Sequence, residues 1–253
     1  MANFTPSPLN EKYFTSQINI EDVGVEGQRL LFNSSVVLLG LSSVGIYVMR
    51  GLLAAGIGKI CLIDNSIVSE GDIGTHPIFS ISDIGKVKGI VLKERGTASW
   101  SNKRIDLHVI EFTKDNASMV LPPRFDFAIS TSYDPQQVRS FYEVADQQGF
   151  QIAGGAALGW TGSFGIYTGR DELYKQKTQI FLRNPKDIRQ ENCMSGTALT
   201  VGGMVTSIAL SVLLGNAPKQ SARFEMSMKN FTTTPLYEGV NPFGSELFNK
   251  AEI

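Results

Sequence analysis

Residues 36–64, VVLLGLSSVGIYVMRGLLAAGIGKICLID, decide the fold. The unbroken apolar run at 36–39 suits a strand covered on both faces. Residues 40–45 then turn the chain, and Val44, Val48, Leu52 and Ala55 recur at the spacing of one helical face. Gly56 and Gly58 stop that helix, 60–63 returns as a second apolar strand, and Asp64 stands at its carboxyl end. Strand, small-residue turn, helix, strand and acid, in that order, predict the opening of a nucleotide-binding βαβ unit.

The turn reads Gly-Leu-Ser-Ser-Val-Gly over 40–45. In such a unit the first glycine permits a tight bend. A second lets backbone N–H groups approach a phosphate at the helix N-terminus, where the dipole is positive. Ser42 holds that second place, so a Cβ and a hydroxyl intrude where backbone would touch the ligand, although the hydroxyl can itself donate to phosphate. Gly40, Ser42, Ser43 and Gly45 are candidate nucleotide contacts. Asp64 is either a further one or a turn cap.

The 253 residues suffice for one substantial α/β core. A net charge of −1, with acids and bases interspersed, offers no basic face for nucleic acid. No apolar run reaches bilayer-spanning length, and 1–10 lack a charged stretch followed by an apolar core, so the expected setting is intracellular, nucleus or cytoplasm, with no membrane partner. Two cysteines, Cys61 and Cys193, exclude a disulfide framework and an all-cysteine zinc site. His76 and His108 lack partners at ligand spacing, so no metal site is assigned.

Outward from the opening unit, the pattern predicts an amphipathic helix near 21–32, a polar crossover over 65–84, a helix from 84 to about 98 and a strand over 107–112. A strand at 125–130, a helix at 135–148 with Pro135 in its first turn and a strand at 151–154 follow. That alternation predicts an α/β fold, Rossmann-like, with a mostly parallel sheet and helices on both faces. The last third changes character. Residues 156–169 read as a glycine-rich antiparallel pair carrying Trp160, Phe164 and Tyr167, and 171–190 as an exposed connection. An apolar helix over 202–214 is closed by Gly215, and strands at 223–228 and 233–237 complete a C-terminal antiparallel section.

The block from Val36 through Lys88, with its glycine turn, Asp64 and a later Gly-Lys-Val-Lys helix start, resembles the adenylation domain of the ThiF, MoeB and ubiquitin-activating superfamily. Residues 125–167 and the VGGMVTSIALSVLLG and FTTTPLYE segments resemble that family's central and closing elements. The implied organisation is one adenylation-type domain over 10–238 with a tail at 239–253. The nearest pattern is the smaller, cysteine-less subunit of the SUMO-activating enzyme, whose acidic stretch VSEGDIG at 68–74 matches in place of the family's Asn-Leu-x-Arg-Gln.

Position by position, the resemblance makes Asp64 the ribose-contacting acid and Lys88 the lysine that reaches phosphate. Thr75 stands where active members place a phosphate-binding arginine. Tyr133 stands at the Mg²⁺-binding aspartate, with Asp134 one place off, and Ser16 replaces an arginine that the smaller subunit donates to its partner. The span from Gly169 to Gly196 is too short for the family's longer insert. Lys88 read alone is equally a solvated helix lysine, and Cys193 ahead of the closing helix is read as packed rather than nucleophilic.

Without the arginine and the metal ligand, charge developing in phosphoryl-type transfer is poorly countered. The expectation is therefore a pseudo-active, non-catalytic subunit with no catalytic residue of its own. It would pair with a catalytic cysteine-bearing activating-enzyme subunit that holds ATP and Mg²⁺ and adenylates a ubiquitin-like modifier. The alternative is a stand-alone ThiF-like adenylyltransferase acting on a sulfur-carrier protein or peptide as a homodimer. A third reading is a non-enzymatic nucleotide- or partner-binding module.

Overall fold

The computed structural model describes residues 12–97, 104–169, 192–219 and 221–235. The expected connection at 171–190 and tail at 239–253 lie outside the described residues. Helices α1 (Thr15–Ile18) and α2 (Gly24–Asn33) lead into β1 (Ser35–Leu39), α3 (Ser43–Ala55) and β2 (Lys59–Ile63). Next come α4 (Glu70–Thr75), α5 (Lys88–Thr97), β3 (Arg104–His108), α6 (Ala117–Val120), β4 (Phe127–Ser130) and α7 (Pro135–Gln148). Strands β5 (Ile152–Leu158) and β6 (Thr161–Tyr167), helix α8 (Ser195–Leu213), and strands β7 (Ala222–Ser227) and β8 (Thr232–Pro235) complete the order.

The described strands form one eight-stranded sheet in the order β3-β2-β1-β4-β5-β6-β7-β8. Strands β1 to β5 run parallel, and β5 to β8 pair antiparallel. This is the expected α/β sheet with a closing antiparallel section. The apolar runs in β1 and β2 divide with the period of the pleat. Val36, Leu38, Ile60 and Leu62 face a core shared with α3 and α8, while Val37, Leu39, Cys61 and Ile63 face a second core containing Phe112, Phe141 and Val144. Both faces are dry, which is why these strands read as continuous rather than alternating. Each such side chain contributes about 1.5–3 kcal/mol by its burial.

Helices α3 and α8 cross closely. A Cβ on Gly51 would lie 2.7 Å from the Thr206 hydroxyl, and one on Gly202 would lie 2.6 Å from the Tyr47 Cβ. Helix α8 begins seven residues before the expected 202. Its first turns are rich in Thr, Ser and Gly, which have weak helix propensity, and burial of Thr197, Ala198 and Val201 overrides that weakness. At its true length α8 is long and apolar enough to cross a bilayer by length and composition, which corrects the expectation that no run qualifies. In the fold its Val201, Val205 and Ala209 are fully buried against the sheet and α3.

Three boundaries also differ. The strand expected at 107–112 lies at Arg104–His108; the chain then leaves the sheet, with the Phe112 N–H donating to Gln137 Oε1 at 3.1 Å and its ring edge-on to Phe141. The helix expected from 84 begins at Lys88, because residues 85–86 bond back to Val68 instead. The strand read at 151–154 and the hairpin arm read from 156 are one strand, β5, paired along its length with β6. Trp160 sits in the turn, half exposed, while Phe164 and Tyr167 enter opposite cores.

Candidate functional site

Adjacent strands β1 and β4 send their connections to opposite sides of the sheet, opening a crevice at their carboxyl ends where open α/β sheets take ligands. Gly40 turns the chain there with φ +89°, and a Cβ on it would lie 2.5 Å from the backbone nitrogen of Ser132. A Cβ on Gly45 would meet the Gly40 carbonyl oxygen at 2.3 Å and Thr131 Oγ1 at 2.4 Å. Both positions are steric requirements of the loop itself. Thr131 fastens the two loops together, its hydroxyl donating to the Gly40 carbonyl at 2.6 Å and its N–H to the Leu39 carbonyl at 2.8 Å.

Ser42 does not project outward. Extended at φ −61°, ψ 176°, it caps α3, its hydroxyl accepting from the Gly45 N–H at 3.2 Å, and Ser42 and Ser43 are both buried. The serine therefore takes up one helix-terminal donor that a glycine would have left for a ligand.

Asp64 clamps this loop. Its Oδ2 accepts from the Leu41 N–H at 2.7 Å, and its Oδ1 accepts from the Ser66 N–H at 2.9 Å and the Ser66 hydroxyl at 2.6 Å. The Ser66 carbonyl in turn accepts the N–H of Lys88. Hence Gly40, Ser42, Ser43, Gly45, Asp64 and Lys88, dispersed over 49 positions in sequence, belong to one hydrogen-bonded edge.

Lys88 is not solvated. Its ammonium lies 2.9 Å from Asp72 Oδ1, and each side chain is only 4% exposed. The other Asp72 oxygen accepts from the Ser69 N–H at 2.8 Å and the Ser69 hydroxyl at 2.7 Å, forming the capping box of α4. Burial pushes the Asp72 carboxyl up, but the donors from Lys88 and Ser69 outweigh it and hold the group below its ordinary value. Sequence reading passed over Asp72. The Ser-x-x-Asp spacing at 69–72, repeated at 80–83, is the signal that marks both helix starts within the supposed crossover.

His76 closes α4. Its ring lies 5.1 Å from Tyr47 and edge-on to Phe79, it is 1% exposed, and neither ring nitrogen has a hydrogen-bond partner. Burial pushes its pKa down to about 4, overcoming the pull of Asp72, with Lys88 and Arg50 acting in the same direction as burial. The Tyr47 hydroxyl donates to the Thr75 carbonyl at 2.8 Å, tying the glycine-loop helix to the end of α4.

The residues at the implied Mg²⁺ position do not fit a metal. The Tyr133 hydroxyl donates to the Ala157 carbonyl at 2.9 Å, and Asp134 spends one carboxylate oxygen capping α7 through the N–H groups of Gln136 and Gln137. Among the described residues no group of three or more His, Cys, Asp or Glu side chains could hold a metal ion. Cys61 is fully buried, its thiol pushed up to about 11 by burial first and Asp106 second. Cys193 is partly buried against the main core beside its bridge to Gly159.

The profile of the ThiF family matches residues 14–242. The sulfur carrier protein adenylyltransferase of Thermus thermophilus is 25% identical over 207 residues, covering 79% of this chain and 76% of that protein. The adenylyltransferase and sulfurtransferase UBA4 of Eremothecium gossypii is 26% identical over 219 residues, covering 83% of this chain but only 48% of its own length, so the chain spans about half of that relative. Among solved structures, E. coli MccB with ATP superposes with a TM-score of 0.70 at 16% identity, over 92% of this chain and 78% of that one, a likeness of fold.

Proposed function

The chain belongs to the ThiF family, and from that premise we propose that it is an adenylyltransferase-type module that binds an adenine nucleotide at the β1/β4 crevice. Its substrate would be the C-terminal carboxylate of a small sulfur-carrier-like protein or peptide, activated inside the cell with ATP. The names of the relatives support this class of substrate over a SUMO-type modifier. The observation that carries the reading is the Gly40–Gly45 turn at the β1/β4 crevice, clamped to the end of β2 by Asp64, in a chain whose residues 14–242 match the ThiF family.

In this reading the backbone N–H groups at the start of α3 face the nucleotide's phosphate, aided by the helix dipole. Asp64, already holding Leu41 and Ser66, sits at the strand end where a ribose is met. No step is assigned to a metal, because Tyr133 bonds to the Ala157 carbonyl and one Asp134 oxygen caps α7.

One set of observations favours the second reading, a non-catalytic subunit that supports a partner: Thr75 and Tyr133 stand where charge-bearing groups are expected, and Lys88 is bound to Asp72. Exchange of labelled pyrophosphate into ATP separates the two. Carrier-dependent exchange by the pure chain supports the first reading. Nucleotide binding without exchange, restored by adding a second ThiF-type chain, supports the second.

A further inference from the structure

Asp64 is nearly saturated as a hydrogen-bond acceptor. The Gly40 N–H donates to the Ile63 carbonyl at 3.0 Å, which sets the glycine turn beside the end of β2, and the Asp64 carboxylate reaches into that turn at the Leu41 N–H. An ionised carboxylate offers about four lone-pair directions to donors. Three are filled from within the chain: the Leu41 N–H on Oδ2, and the Ser66 N–H and hydroxyl on Oδ1. The direction that remains is on Oδ2, the oxygen bonded to the turn. A ribose carries two neighbouring hydroxyls, and a carboxylate in this state accepts from one of them but not from both.

The Ser66 hydroxyl supplies what Asp64 lacks. Giving its proton to Asp64 Oδ1 at 2.6 Å fixes it as a donor there and turns its own lone pairs away from the carboxylate. Among the described residues no other group bonds to that oxygen. The residue is partly exposed, and its backbone is pinned on both sides, the N–H on Asp64 at 2.9 Å and the carbonyl accepting from the Lys88 N–H at 2.9 Å.

We propose that Ser66 is a ribose-reading residue: Asp64 accepts one hydroxyl of the nucleotide's diol through Oδ2, and Ser66 Oγ accepts the other. The inference rests on the nucleotide-site reading above and deepens it, dividing ribose recognition between a charged and a neutral acceptor. That division makes the two hydroxyls unequal, because a bond to a carboxylate is worth more than one to a serine oxygen. Ser66→Ala keeps the backbone donors on both Asp64 oxygens, so the carboxylate stays in place while the neutral acceptor goes.

Isothermal titration of the full chain with ATP, 2′-deoxy-ATP and 3′-deoxy-ATP reads the division directly. In the native protein one deoxy form binds about tenfold or more below ATP and the other about fivefold below it, as a charged and a neutral acceptor supply. In Ser66→Ala, ATP weakens about fivefold and the smaller penalty disappears while the larger persists. Ser66→Thr, which keeps the hydroxyl, restores both, and thermal melts confirm that each variant is folded. Penalties unchanged by Ser66→Ala, a native protein indifferent to either hydroxyl, or tighter ATP binding in Ser66→Ala overturns the inference and leaves the nucleotide site standing. Failure of ATP to bind the folded native chain removes the nucleotide site and the inference together.

Discussion

The two banks of the crevice are built on opposite terms. On the β1 bank, Gly40 and Gly45 let the loop pack against Ser132 and Thr131, and Asp64 holds it through the Leu41 N–H. On the α4 bank, four polar groups turn inward: Lys88 to Asp72, Asp72 to Ser69, Tyr47 to Thr75, and His76 into an aromatic slot. The first bank is shaped by sterics that also stabilise the sheet edge, so it persists whatever ligand is taken. The second depends on a buried charge pair that also caps α4, so its charges and its stability are tied together.

The largest effect that would sharpen this contrast is Asp72→Ala. Removing one member of a buried ion pair takes from Lys88 its buried carboxylate, and we expect a loss of about 3–5 kcal/mol in chemical denaturation. A loss below about 1 kcal/mol would mean that the pair is solvated and the α4 bank open. On the other bank, Gly40→Ala forces a left-handed residue and a contact with Ser132, with an expected loss of about 3 kcal/mol.

Next in size is a pH effect confined to the α4 bank. His76 is held at about 4 when folded, against 6.5 for an unperturbed histidine, so the unfolded chain takes up protons first as pH falls. Stability from its neutral form is fully present above about pH 6.5 and is lost as pH falls toward 4, on the order of 2–3 kcal/mol in all. His76→Phe should flatten the stability profile across that window, and an unaltered slope would place the titration elsewhere. The smallest effect is Cys193→Ser, expected to cost under about 1 kcal/mol and to leave AMP affinity within about twofold in calorimetry. A larger loss of affinity would give that thiol a part in the site.

Much of the first bank was legible in the sequence because its determinants are local: an apolar strand, glycines at fixed offsets and an acid at the next strand end. The apolar strands and helix α7 were equally plain, the latter from Pro135 and the Asp134 cap. The second bank was not legible because its meaning lies in pairing. Lys88 reads either as a phosphate lysine by resemblance or as a solvated helix lysine by pattern, and neither reading holds Asp72, sixteen positions earlier, against it. The early start of α8 was hidden for a related reason, since tertiary packing, absent from any local pattern, carries its Thr- and Gly-rich first turns. The SUMO-type assignment drew on that same acidic stretch at 68–74, which the fold uses to neutralise a lysine and cap a helix.

The most direct test of an open bank facing a closed one is hydrogen–deuterium exchange read by mass spectrometry, with AMP and with ATP. The account expects AMP to slow exchange in peptides covering 40–46 and 64–66 while those covering 70–88 stay unchanged, and ATP to do no more. Protection by ATP centred on 70–88, with none at 40–46, would contradict it.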